Sequence, residues 1–269
     1  MNITPSKSII EKYGFGIPED PKNADERYVG IEIEFENSTA PYNFSISDSR
    51  MIGEITEDGS LRNRGKEIIS HPLDKNGLDQ FLKIYEKVIN NDPAIEHTHR
   101  CSTHVHVNVG GLTDHQLVMV VANWICLERV ALTMTNALRS NNSFCAHVAD
   151  LRLVPENITT PLGRSDHRYK YLTLNFASAY KIGTVEFRAL EGTRDYDKIK
   201  RWVRQCQNVV HYSSTIPVEK QIARIQGLNT DSGYAAFVDD VLGDLRPYVD
   251  LDLKAMMERN VTIAKRLVR

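Results

Sequence analysis

Cysteine is scarce: Cys101, Cys126, Cys145 and Cys206 are the only four in 269 residues, with no CxxC pair and no framework spacing. That excludes a disulfide-stapled scaffold and leaves free thiols in a reducing cytoplasm as the expected state. Long hydrophobic runs are missing too. A membrane helix needs roughly 18–20 apolar residues, and the longest apolar region, Leu117–Leu138, is broken by Asn123, Glu128 and Arg129. The opening MNITPSKSIIEKYGFG has no basic start followed by an apolar core, so no signal peptide is expected. No charge sign dominates: 33 Lys and Arg stand against 35 Asp and Glu, a net charge of −2. Bulk electrostatics therefore do not indicate nucleic acid, although a nucleic-acid-attached substrate is not excluded. Familiar catalytic signatures are also absent. There is no GxSxG, no HExxH and no GxGxxG after a strand, and Gly110-Gly111-Leu112-Thr113 lacks the lysine of a Walker A loop.

What remains is ordinary globular material, 41% hydrophobic and 25% charged, long enough to bury a sizeable core. Residues 1–26 read as an irregular lead-in. Strict alternation predicts strands over Arg27–Glu36, Cys101–Val109, Tyr169–Phe176 and Gly183–Leu190, and a shorter one over Gly65–Ser70. Apolar residues at helical spacing predict a helix over Asn76–Asn90. A capping box from Thr113 to Gln116 opens a long, buried helix. Asn142–Ser165 reads as irregular, and residues 196–269 as mainly helical. The expected class is α+β in a single domain, residues 1–269: an antiparallel sheet with helices packed on its apolar face.

Alternate side chains of a strand share a face. Opposite Ile31, Ile33 and Phe35 stand Glu32, Glu34 and Glu36. Opposite Val105, Val107 and Val109 stand His104, His106 and Asn108. Tyr171, Thr173 and Asn175 share a face, as do Thr184, Glu186 and Arg188. A solvated sheet face usually carries mixed charge. Three Glu on one face repel one another, and a His-x-His face adds metal-ligand types, so the set points to a divalent cation. Carboxylates favour magnesium, and an imidazole among them makes manganese acceptable. Zinc on His97, His99 and Cys101 is the competing reading, with four His and one Cys crowded into residues 97–106. These residues by themselves support a metal-dependent enzyme; they do not indicate ATP.

Six motifs then occur in order: GIEIEFE (30–36), EDGSL (57–61), GKEIISHPL (65–73), THVHVNV (103–109), YLTLN (171–175) and GTVEFRALEGT (183–193). Together, over about Gly30 to Trp202, they resemble the amidoligase family, phage and bacterial carboxylate–amine ligases related to glutamate–cysteine ligase and, distantly, to glutamine synthetase. The resemblance implies an antiparallel sheet cleft of that type holding ATP and two or three magnesium ions. It implies transfer of the γ-phosphoryl group to a carboxylate, then attack by an amine to give an amide. By position in the motifs, Glu32, Glu34, Asp58, Glu67, His104 and Glu186 resemble metal ligands, and Arg188 the phosphate-contacting arginine. The resemblance further implies Glu186 and Arg188 as the catalytic pair, with Arg188, Thr193 and Asn175 expected toward the nucleotide and His106, Arg168 and Tyr171 expected toward substrate.

The substrates so implied are a carboxylate and an amine, each small, peptidic or polymer-attached. Specificity is expected in the helical C-terminal third or in the loop from Ala40 to Met51. Relatives of this fold assemble, which leaves an oligomer open. Two other classes stand beside the ligase. One is a metal-dependent amide hydrolase using the same Glu/His face without nucleotide; the other is a binding protein that kept the fold and lost activity.

Overall fold

Alternating β-branched residues make the strands, and their apolar sides decide which face turns inward. The computed structural model describes residues 2–39, 50–142, 145–248 and 253–269. The loop around 40–49, expected to bear on specificity, lies outside them. Six strands form one antiparallel sheet: β1 (Val29–Phe35), β2 (Ile52–Glu57), β3 (Lys66–Ser70), β4 (Ser102–Asn108), β5 (Leu174–Asn175) and β6 (Thr184–Glu191). Their spatial order is β2-β3-β1-β4-β6-β5. Ile31, Ile33, Phe35, Val105, Val107, Val185 and Phe187 are all shielded from solvent.

The helices are α1 (Lys7–Tyr13), α2 (Lys75–Asn91), α3 (Asp114–Leu132), α4 (Pro155–Thr159), α5 (Pro161–Arg164), α6 (Ser178–Ile182), α7 (Tyr196–Thr215), α8 (Val218–Gln226), α9 (Asp231–Leu242) and α10 (Leu253–Leu267). The α3 helix starts on the expected capping box, with Thr113 Oγ1 accepting Gln116 N at 3.2 Å and Gln116 Oε1 accepting Thr113 N at 2.9 Å. It packs against α7, α8 and α10, so its nearly uniform apolarity matches burial on all sides. By length and composition it could cross a membrane, but 83% of its apolar window is buried inside the protein. Trp124 anchors it, edge-on to Phe187 of the sheet and to Trp202 of α7. All four cysteines are free and buried, and burial pushes the Cys101 thiol up to about 11.

Three expectations are corrected and one element is added. The lead-in is not irregular throughout, because residues 7–13 form α1. The segment Asn142–Ser165 contains α4 and α5, and residues 52–57, for which no element is expected, form β2. The third correction concerns Tyr169–Phe176, where only Leu174–Asn175 is strand. Residues His167–Tyr171 wind into a 3₁₀ turn, started by Asp166 Oδ1 accepting Arg168 N at 2.9 Å. A local Asp cap outcompetes extension there, as Asp side chains do. Thr173 consequently faces the core, where its hydroxyl donates to Glu128 and accepts from Trp124 Nε1 at 3.0 Å.

The first residues also reach the sheet. Asn108, expected to face the ligand cluster, instead clamps the chain after α1. Its Oδ1 accepts Gly16 N at 3.0 Å and Gly110 N at 3.1 Å, and its Nδ2 donates to Ile17 O at 2.9 Å. Backbone meets backbone so closely here that a Cβ on Gly183, itself at φ +82°, would lie 2.3 Å from Gly16 Cα. Only glycine fits such an approach.

Candidate metal and phosphate site

Sheet register assembles the site. On β1, Glu32 stands opposite His104 of β4, and Glu34 opposite Glu67 of β3. On β4, His106 stands opposite Glu186 of β6, and Asn175 of β5 is also opposite Glu186. Directly opposed Cβ atoms in such pairs lie about 4.5–5.5 Å apart. Acidic and imidazole side chains are therefore gathered on one face of the sheet by backbone pairing.

Two clusters result. In the first, one ligand atom each of Glu32, His106 and Glu186 lies within 4.8 Å of the others; in the second the same holds for Glu34, Asp58 and Glu67. His104 stands between them. Its Nδ1 is 3.1 Å from Glu32 and 3.5 Å from Glu186, and its Nε2 is 3.7 Å from Glu34. Glu34 also accepts Ser102 N at 2.6 Å. Asn175 Nδ2 donates to Glu186 Oε2 at 2.7 Å, which fixes that carboxylate. Asp58 sits in the turn after β2 and bonds Ser60 N at 2.7 Å, so it is a turn residue and a cluster member at once.

The electrostatics are those of crowded acids without enough positive charge. Burial raises Glu34, with His104 only partly opposing. Burial also works against Glu186, but Arg188, His106 and His104 outweigh it and hold its carboxyl below the usual range. Arg188 donates to Glu186 and keeps its charge against burial because Glu186, Glu34 and Glu32 face it. His106 shows the strongest sign of a missing partner. Its Nδ1 shares a hydrogen with Thr184 Oγ1 at 2.9 Å, while its buried Nε2 makes no hydrogen bond although Glu32 Oε1 lies 3.1 Å away. An imidazole held at one nitrogen by a neighbour, with the other aimed beside a carboxylate, is the arrangement of a metal-ligating histidine. His104 Nε2 is a second such orphan. The donor set fits hard divalent cations such as magnesium or manganese.

Compared with known proteins, the chain matches no family model and no curated protein. The remaining candidates divide by position. Tyr171 reaches the cleft from the overhanging 3₁₀ turn, not from a strand; with Ser60, Arg100, Ser102, Lys170 and Arg188 it walls a cavity of about 280 Å³ over the second cluster. Arg168 is turned to solvent and forked onto Asp166, with bonds of 2.6–3.0 Å. Thr193 lies beyond β6 and accepts Asp195 N at 3.1 Å, outside the cleft lining. Glu36 is buried at the end of its strand, where it accepts Arg62 N at 2.7 Å. The zinc alternative does not assemble: among the described residues His97, His99 and Cys101 form no ligand group. His97 instead pairs with the Tyr85 hydroxyl, and burial, with Arg194, brings it down to about 4.

Sequence reasoning missed Lys170, Arg100 and Ser60. None lies on a readable period; each enters the cleft from a turn. It also missed Lys181, which together with His167 and Lys170 flanks a second lobe of about 360 Å³ beyond Glu32 and His106.

Glu67 carries a pH signature. Burial and the charges of Glu32, Asp58, Glu34 and Glu186 push it from 4.5 to about 8. The folded, metal-free chain therefore holds a proton that the unfolded chain releases near 4.5, so this group lowers stability as pH rises between those values. Melting curves recorded in chelator from pH 5 to 8.5 are expected to fall with pH. Glu67→Gln is expected to flatten that fall and to raise the melting temperature at pH 8 by at least about 2–4 °C, the shift that 1 kcal/mol gives a chain of this size. A variant that melts with the slope of the parent would refute the assignment.

Proposed function

We propose that this protein is an ATP-dependent carboxylate–amine ligase with a cleft of the glutamate–cysteine ligase type. The observation that carries the reading is the pair of adjoining carboxylate clusters with Arg188 between them. Moving a phosphoryl group onto a carboxylate brings anions together and demands positive charge in a fixed place. Glu34, Asp58 and Glu67 would hold one magnesium ion, and Glu32, His106 and Glu186 another, with His104 between them. Bound there, the ions supply charge neutralisation for the phosphates and the carboxylate.

The chain's own groups then do the following. Arg188, steadied by Glu186, offers its second edge to the transferring phosphoryl group. Arg100 and Lys170 on the cleft rim add cationic contacts for the nucleotide's other phosphates. A substrate carboxylate oxygen bonds to phosphorus as the bond to ADP breaks. The amine nitrogen then bonds to the acyl carbon, phosphate leaves, and the amine proton passes to solvent or to a cleft carboxylate. No enzyme nucleophile is required, in keeping with a site built from carboxylates, imidazoles and guanidinium.

The test is thermal melting with magnesium, with ATP, and with both. A ligand at a hundred times its Kd stabilises by about 2.7 kcal/mol, so a rise of several degrees requiring both components is expected. Glu34→Gln should lose that rise and the ADP release seen with carboxylate and amine mixtures. A rise with zinc but not magnesium, or none with nucleotide, would sink the ligase and favour metal-dependent amide hydrolysis.

A further inference from the structure

Strand β6 changes register as it passes the site. It pairs Phe187 with Val105 and Leu190 with Thr103, and the pairing shifts between them. Arg188 and Ala189 therefore stand against a single residue of β4, His104, which makes a β-bulge. The sequence carries a trace of it. Val185, Phe187 and Ala189 alternate, but Leu190 follows directly and is fully buried. Strict alternation would have turned Leu190 to the ligand face. A bulge bends its strand and re-aims side chains beside a site. The side chain so aimed here is that of Arg188, whose Nη1 donates to Glu186 and lies 3.5 Å from Nδ1 of His104, the residue opposite the bulge.

The bulge is held by a group that the proposed chemistry does not use. Arg139 sits on the 3₁₀ turn Ala137–Asn141 and is only 2% exposed. Its Nη2 donates to Arg188 O at 2.8 Å and to Ser102 Oγ at 3.1 Å, and its Nε donates to Ala189 O at 3.2 Å. Successive carbonyls of a regular strand point to opposite edges, so one guanidinium reaches both only where the backbone has turned. The 3₁₀ turn is itself fastened to β6. Asn136 N donates to Glu191 Oε2 at 2.9 Å, and Asn136 Oδ1 accepts Leu138 N at 3.0 Å. On the same stretch of β6, Thr173 O accepts Arg188 N at 2.9 Å. Strand β5 pairs with β6 only at Glu186 and Phe187, so Thr173 and Arg139 take over where that neighbour ends. The three acceptors of Arg139 are neutral, and burying a guanidinium on neutral groups costs stability. What the arginine offers there is a planar fork with donors in fixed directions, which lysine lacks.

We infer that Arg139 is a positioning residue: it pins the Arg188–Ala189 bulge by its backbone and so fixes where the Arg188 guanidinium stands beside Glu186. The part given to Arg188 in phosphoryl transfer rests on the ligase reading, whereas the positioning itself does not. Misplacing a catalytic group by about 1 Å can cost about 10²-fold, so a brace of this kind acts on rate without touching substrate.

The experiment records the Arg188 Nε–Hε cross-peak in proton–nitrogen correlation spectra, assigned by its loss in Arg188→Lys. That Nε is buried and makes no hydrogen bond among the described residues, so its shift reports where the guanidinium lies. Arg139→Lys keeps the charge but not the fork, and is expected to move or broaden the peak beyond its line width in a protein that still melts cooperatively. Arg139→Gln should do the same, and Arg139→Lys decides if the glutamine variant fails to fold. Arg224→Lys, on α8 where the arginine pairs with Asp240, should leave the peak in place. ADP formation gives a second reading. Arg139→Lys should lower kcat by about tenfold with the nucleotide KM changed less than about twofold. In an Arg188→Met background the same change should cost less than about twofold, because nothing is left to position. An unmoved peak in the Arg139 variants, an equal displacement in Arg224→Lys, or an undiminished loss in the Arg188→Met background overturns the assignment. A displaced peak in a protein whose parent forms no ADP keeps the positioning role and overturns the ligase reading alone.

Discussion

Replacing Arg188 with methionine is expected to lower ADP formation by about 10³-fold, within the range seen when a transition-state cation or a preorganised donor is removed. The argument is geometric. The Arg188 guanidinium donates through Nη1 to Glu186, with His104 Nδ1 3.5 Å away, and its side chain is 17% exposed on the cleft side. A planar fork can hold Glu186 with one edge and a phosphate with the other. Lysine offers a single rotating point charge, so Arg188→Lys should recover part of the loss, leaving a deficit of roughly 10²-fold. Both variants are to be assayed at saturating magnesium, because removing the guanidinium leaves the carboxylates less neutralised. The melting rise with magnesium should persist in both. ADP formation by the methionine variant within a few-fold of the parent would show that Arg188 does not touch the transferring group.

Replacing Glu128 with alanine is expected to remove about 3–5 kcal/mol of stability, the usual result of breaking a buried charged network from one side. Chemical denaturation would read it directly, and melting should fall by roughly 10 °C. Glu128 lies on α3 and is wholly buried. Its carboxylate accepts Val148 N at 2.7 Å, Ala149 N at 3.3 Å and the Thr173 hydroxyl, with His147 Nδ1 at 3.5 Å. Alanine would leave three donors without an acceptor in a dry place. The consequence extends to the cleft. Thr173 O accepts Arg188 N at 2.9 Å, and Thr173 N donates to Ala146 O at 2.8 Å. Glu128 thus braces the segment that carries Lys170 and Tyr171 over the site. A melting temperature within about 2 °C of the parent would show that this network is dispensable.

Glu128 also shows where reading the chain stops. In the sequence it is a break in an apolar run, which argues against a membrane helix. Nothing in its neighbourhood says that it faces Val148 and Thr173, because those contacts span 20 and 45 residues. Tyr171 teaches the same lesson from the other side. Alternation suggested a strand, but the Asp166 cap and the pairing of residues 146 and 172 decided a turn. Tyr171 therefore reaches the cleft from above the sheet. Lys170 follows it there, although on a strand it would have faced away.

What the sequence determined by itself was the composition of one sheet face. Side chains of a strand alternate with a period of two whatever the strand pairs with. Glu32 with Glu34, His104 with His106, and Glu186 with Arg188 were therefore legible as ligand-type residues sharing a face. The Thr113–Gln116 cap and the burial of α3 were legible for the same reason: they depend on residues within a turn or two. Tertiary structure alone decided the register that sets Glu34 against Glu67 and His106 against Glu186, which divides one acidic face into two clusters. It alone decided that Asn108 clamps the chain after α1 against the sheet. Those outcomes depend on contacts between segments far apart in the chain, whose partners are chosen by the packing of the whole core and not by any local pattern.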